Sequence, residues 1–455
     1  MQHPVKTLAE EDRSALRRVI GIAWPAMVES FFQAATALID SFMLSGLGYS
    51  AIASVGLTQQ PKFISISPFI ALSMAVNALS ARRKGQRDRL GAHQILLAAL
   101  LFSCFGGLLI GTLCAGLSEE LMRLAGSDAE TAQSAVYFRI VMGGIVFHVV
   151  SLAINSAQRG SGKTNLSMRT NVVSALVNML FNWLLIGGNL GFPRWGIAGA
   201  AIATVLGSAV GCAMSILSLF SKDSFLQLRF LRTERVRVTR TAAASIWNIA
   251  SSALLENILI RVGFMATALM AAGLGAEALA AHNVGLNLLT LSFSVGDGFQ
   301  AAALSLIGQC LGAKEPDRAK HYGKVCHRLG MAAAAILTIL YLLFGRRLFE
   351  LFFLDSPQAV LYGTHIVRWL VVVIVIQVSQ VVYIGALRGA GDARYVMMAL
   401  IISVTVVRAG TGYLLCEVLD LGLDGLWISI AADQLSRWLL TGTRFRRGKW
   451  AGIEI

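Results

Sequence analysis

Arg159-Gly160-Ser161-Gly162 returns in the second half of the chain as Arg388-Gly389-Ala390-Gly391, an offset of 229. Outward from that pair, Val55-Gly56-Leu57 returns at the same offset as Val284-Gly285-Leu286. Glu29, Gly46 and Gly85 return as Glu256, Gly273 and Gly312 at an offset of 227, and Gly196-Ile197-Ala198-Gly199 returns as Gly422-Leu423-Asp424-Gly425 at 226. Six matches in one order at nearly constant offset identify a duplicated unit, half the chain long.

What each unit contains follows from composition. Of 455 residues, 56% are hydrophobic and 14% charged, which points to lipid as the solvent. Crossing about 30 Å of hydrocarbon takes roughly 20 apolar residues in a helix. About twelve such stretches occur, near 19–44, 51–79, 94–117, 134–157, 166–188, 196–220, 241–272, 278–311, 329–345, 358–387, 395–416 and 424–442. The expectation is an all-α integral membrane protein with a six-helix lobe at 1–220, a basic linker at 221–240 and a second six-helix lobe at 241–455. With an even number of spans each, the lobes enter the membrane from the same side. They are expected to be related by a pseudo-two-fold along the membrane normal, with a cleft between them.

The formal charge of +14 raises the question of a nucleic-acid partner. Yet 29 of the 39 Lys and Arg residues fall in alternate loops and at the two ends, whereas the opposite loops carry acids such as Glu119, Glu120, Asp420 and Asp424. The positive-inside rule accounts for this pattern, places both termini in the cytoplasm and leaves nothing for a nucleic acid to explain. No secretory signal is evident in the segment before Val19. In the linker, Arg229-Phe230-Leu231-Arg232 and Arg235-Val236-Arg237-Val238 interleave bases with apolar residues, fitting either a membrane surface or a solvated connector. The six cysteines have no metal-ligand or redox spacing and read as small buried hydrophobes, so neither metal nor cofactor is expected.

Acids inside spans are costly and mark candidate sites. Glu29, Gln33, Thr36 and Asp40 recur at helical spacing and share one face. Glu256 stands alone in the middle of the seventh span, and Asn283, Asn287, Thr290 and Ser294 lead along the eighth toward Asp297. Asn178, Asn182 and Thr204 can hydrogen-bond a carboxylate or its proton. Ala157-Gln158-Arg159-Gly160-Ser161-Gly162-Lys163-Thr164 lacks the first glycine of a phosphate-binding loop and follows no strand, so an ion gradient is the expected energy source. No HExxH or Gly-x-Ser-x-Gly motif supports an enzyme.

The paired Arg-Gly-x-Gly loops, Ala280-Ala281-His282-Asn283 and Gly308-Gln309-Cys310-Leu311-Gly312-Ala313 resemble the multidrug and toxic compound extrusion (MATE) transporters. So does Asn178-Met179-Leu180-Phe181-Asn182, followed by Gly196-Ile197-Ala198-Gly199. The resemblance runs from Pro25 to about Trp438. It implies an antiporter of the bacterial inner membrane, exporting small amphipathic organic cations as protons or sodium ions enter. Asp40 matches the family's first-span acid, and Glu256 matches the seventh-span glutamate of its NorM-like branch, where sodium could bind. Asn178 and Asn182 match that branch's fifth-span pair, while Gln377 stands where an aspartate often occurs. A monomer surrounded by membrane lipid is expected. The alternative is an exporter of a lipid-linked saccharide or peptide.

Overall fold

The computed structural model describes residues 8–47, 49–125, 128–221, 224–353 and 357–453. Among them every regular element is helical. The chain runs α1 (Leu8–Ser45), α2 (Tyr49–Gly85), α3 (Arg89–Gly116), α4 (Ser118–Ala125), α5 (Asp128–Gly143), α6 (Ile145–Gly160), α7 (Thr164–Gly187) and α8 (Gly196–Ser218). After the short α9 (Leu228–Thr233) come α10 (Arg240–Gly273), α11 (Ala276–Gly312), α12 (Pro316–Phe352), α13 (Pro357–Ala390), α14 (Ala393–Ile401), α15 (Ala409–Tyr413) and α16 (Gly422–Arg446).

Among the described residues, ten helices are long and apolar enough to cross a membrane, and an eleventh span forms if Ala132–Gly143 and Ile145–Gly160, bent by 46°, are taken together. That bend falls at Gly143 and Gly144, where a Cβ on Gly144 would come within 2.5 Å of Val205. The last expected span is α16, whose Asp424, Asp433, Arg437, Arg444 and Arg446 give it a mixed face. Its acids are satisfied within the protein: Asp433 pairs with Arg437, and Asp424 accepts from the Trp369 indole and contacts His365.

By internal packing the chain divides into two compact units, Val28–Leu254 and Met1–Met27 with Leu255–Ile455, called here the N-terminal and C-terminal units. The boundaries 27/28 and 254/255 share the 227 offset of the repeated glutamates, so α1 and α10, the repeated first helices, change unit at the same register. The basic segment 221–240 lies wholly in the N-terminal unit. It is anchored there: Leu226 is fully buried, the Gln227 amide donates to His93 Nε2 at 3.0 Å and Phe230 stacks on the His93 ring. Arg229, Arg232, Arg235 and Arg237 are nonetheless exposed, so docking and solvation divide the segment between them.

Candidate functional site

The repeated Arg-Gly-x-Gly loops do the same job in each unit. The first glycine lets two helices meet: a Cβ on Gly160 would lie 2.3 Å from the Asn77 carbonyl, and one on Gly389 would lie 2.4 Å from that of Leu304. The second glycine, Gly162 or Gly391, takes a left-handed turn with φ of 83° or 90°. The arginine then reaches back to the repeated glutamate. In the N-terminal unit Arg159 Nη1 donates to Glu29 Oε1 at 2.6 Å, joined by Asn171 on the same oxygen and by Ser167 on Oε2 at 2.9 Å. In the C-terminal unit Arg388 Nη2 donates to Glu256 Oε1. Both glutamates are buried and both already hold a counter-charge. The resemblance to a phosphate loop is explained by helix packing and this ion pair.

Asp40 has different company. It lies in the last turns of α1, half-buried, and accepts from Asn182 Nδ2 at 2.6 Å. The same amide group reaches Asn178 Oδ1 at 3.3 Å, and Asn178 Nδ2 reaches Thr204 Oγ1 at 3.3 Å. Tyr137, buried on α5, hydrogen-bonds Thr204 and closes the far end. Asn182, Asn178, Thr204 and Tyr137, from α7, α8 and α5, thus bring neutral amides and hydroxyls to this end of α1. Lys62 on α2 lies within electrostatic range. Of the residues named from sequence, Asp40, Asn178, Asn182 and Thr204 come together; Tyr137 joins them without any periodic signal having marked it.

The remaining candidates are placed elsewhere. Glu29 belongs to the Arg159 pin, while Gln33 is exposed and Thr36 half-buried, its hydroxyl bonded to the Phe32 carbonyl at 2.7 Å. On α11, Asn283 and Asn287 are exposed and Asp297 is half-buried. Gln377 on α13 is fully buried, and neither atom of its amide has a hydrogen-bond partner.

A second polar cluster, in the C-terminal unit, was not singled out by spacing. Asp433 is fully buried and accepts both Nε and Nη2 of Arg437 at 2.8 Å, while Ser403 donates to its Oδ1 at 2.6 Å. Arg408 Nη1 stands 3.6 Å from Asp433 Oδ2. The signal present in the sequence was Asp433 and Arg437 at i, i+4 on one helix face.

The family model MatE matches the chain twice, over residues 25–184 and 252–414, in the register of the internal repeat. The chain belongs to the MatE family. Relatives of this MATE chain include the probable multidrug resistance protein NorM of Thermotoga maritima, 26% identical over 97% of this chain and 94% of that protein. An uncharacterized transporter of Bacillus subtilis is 23% identical, with 95% and 94% covered. Among solved structures, a multidrug resistance MATE family transporter in an outward-facing conformation superposes with a TM-score of 0.86 at 21% identity, covering 96% of this chain and 97% of that one. A MOP superfamily transporter from Pyrococcus furiosus, described as having a binding pocket of reversed polarity, superposes at 0.87 with 22% identity and 97% of each chain covered. The fold of this MATE protein is thus that of membrane transporters, and the Arg-Gly-x-Gly pins and the Asp40 network are features of its own two units.

Proposed function

We propose that this MATE transporter is a secondary antiporter exporting small amphipathic organic cations in exchange for protons, with Asp40 as the exchange group. The observation that carries this reading is the contrast between carboxylates. Glu29, Glu256 and Asp433 are each bonded by a guanidinium, whereas Asp40 accepts a hydrogen bond from the neutral amide of Asn182 and has the Lys62 ammonium within electrostatic range. A carboxylate locked to arginine has little reason to take up another cation; one held by an amide can take either a proton or an organic cation, and binding of one expels the other.

Protons are favoured over sodium on coordination grounds. A hard cation needs several oxygen ligands. At Asp40 the Asn182 amide presents an N–H donor at 2.6 Å, and at Glu256 the Arg388 charge repels a metal ion. Exchange of one proton for one monovalent cation moves no net charge, so the pH gradient drives it, and each pH unit is worth about 1.4 kcal/mol, or about a tenfold substrate gradient, without ATP. The alternation of basic and acidic loops supports a bacterial inner membrane with both termini cytoplasmic. We read the working unit as a monomer, since each repeat contains its own pin and polar cluster.

Ethidium efflux from cells tests the assignment. Asp40→Asn should abolish it with the protein still in the membrane, and Asp40→Glu should keep part of it. Wild-type efflux by Asp40→Asn would remove Asp40 from the mechanism.

A further inference from the structure

Arg408 is 1% exposed and lies at the end of a stretch, Ile402–Arg408, wound as π-helix between α14 and α15. A π-helical turn accommodates an added residue and often marks a functional site. The repeat shows where the residue went. Ser174 donates to the Gly207 carbonyl at 2.7 Å, and at the 229 offset Ser403 donates to the Asp433 carbonyl at 2.7 Å. Beyond the π segment the offset is 230: Leu185 lies against Gly199, and Leu415 against Gly425. Arg408 and Asp433 therefore stand where the N-terminal unit has Asn178 and Gly207, which also touch.

The charges there do not balance. Asp433 gives both oxygens to Arg437 at 2.8 Å, and Arg408 shares the same carboxylate through a longer ion pair at 3.6 Å, so two guanidinia divide one negative charge. Arg408 Nε and Nη2 are buried with no hydrogen-bond partner. Its guanidinium rests 4.4 Å from the centre of the Phe264 ring, a contact that adds to its half-share of Asp433 without supplying a second negative charge. His282 lies within electrostatic range of Arg408 and meets the edge of Trp427 at 5.9 Å. His282 Nδ1 and the Trp427 indole N–H are likewise buried and unpartnered. The Trp427 indole N–H is a donor, and His282 Nδ1 is one when it carries the ring proton. Phe264 is itself 37% exposed.

We propose that Arg408 is the centre of a monovalent-anion site in the C-terminal unit, taking chloride or a carboxylate group. The site is independent of the exchange chemistry assigned to Asp40. It is tested on the purified full-length protein by thermal unfolding in sodium isethionate, with chloride or acetate substituted at constant ionic strength. Chloride should raise the midpoint by a few degrees in a saturable manner, and Arg408→Gln should lose the rise. Acetate matching chloride assigns the site to carboxylates, and chloride alone assigns it to halides. No saturable rise with either anion, or the same rise in Arg408→Gln, overturns the proposal. Because Arg408→Gln leaves Asp433 with Arg437 but removes a buried side chain, crystals of the unaltered protein soaked in bromide give a second reading. An anomalous peak beside Arg408 is expected, and its absence overturns the site.

Discussion

In the N-terminal unit Ser174 on α7 bonds the carbonyl of a glycine, Gly207, and the neighbouring side chain is the neutral Asn178. In the C-terminal unit the matching serine, Ser403, bonds the carbonyl of Asp433, and the neighbouring side chain is Arg408. On the first helix of each repeat the polarity differs again: Asp40 in one, the buried Thr267 at the corresponding place in the other. The Glu29–Arg159 and Glu256–Arg388 pins, by contrast, are preserved in both. The two repeats share the glutamate–arginine pins and differ in the polar groups packed beside the matching serines. The lesson is that features shared by the two repeats identify scaffolding, and departures between them identify chemistry.

The comparison breaks most visibly at Asp433. Asp433→Asn should cost about 3–5 kcal/mol in unfolding free energy, because two buried guanidinia lose their shared partner. Gly207→Ala, its counterpart, should cost about 1–3 kcal/mol through a Cβ placed 2.7 Å from the Ser174 carbonyl. Denaturant unfolding in detergent micelles compares the two, and equal losses would mean that Asp433 is not the electrostatic keystone of its unit.

The pins sharpen the contrast next. Glu29→Gln and Glu256→Gln should each lose about 2–3 kcal/mol, since the arginine left behind is only slightly exposed. Their thermal shifts should agree, and neither should change which ion gradient drives efflux. A Glu256→Gln protein that loses ion coupling while keeping its unfolding midpoint would show that Glu256 carries ions and is more than a pin.

The smallest of these effects is expected at Asn182. Asn182→Ala should weaken the hold on Asp40 by about 1 kcal/mol, a several-fold change in the substrate concentration that half-saturates efflux, with stability little altered.

Much of this was legible before the fold. Constant spacing of glycine-rich segments pointed to two halves, and the cost of a carboxylate inside a span marked Asp40 together with Glu29, Glu256 and Asp297. The amide pair Asn178 and Asn182 could be named because four-residue spacing places them together on α7. Arg159 and Arg388 read as cytoplasmic loop charges, for a position at a helix end does not reveal that the side chain folds back across most of its repeat to a buried glutamate. Glu256 looked like a lone membrane acid for the same reason. A π turn leaves no mark in hydropathy, so spacing alone does not bring Arg408 to Asp433. Tyr137 carries no signal because one tyrosine in an apolar span is ordinary; only the approach of α5 to α8 makes it part of the network.

The account rests on a proton and an organic cation competing for one carboxylate, and that competition can be measured directly. Purified protein in weakly buffered detergent solution, mixed with saturating ethidium at near-neutral pH, should release protons to a pH indicator, and Asp40→Asn should release none. Release of the same size from Asp40→Asn, or ethidium binding to the unaltered protein with no release at any pH from about 4, where an ordinary aspartate titrates, up to neutral, would contradict it.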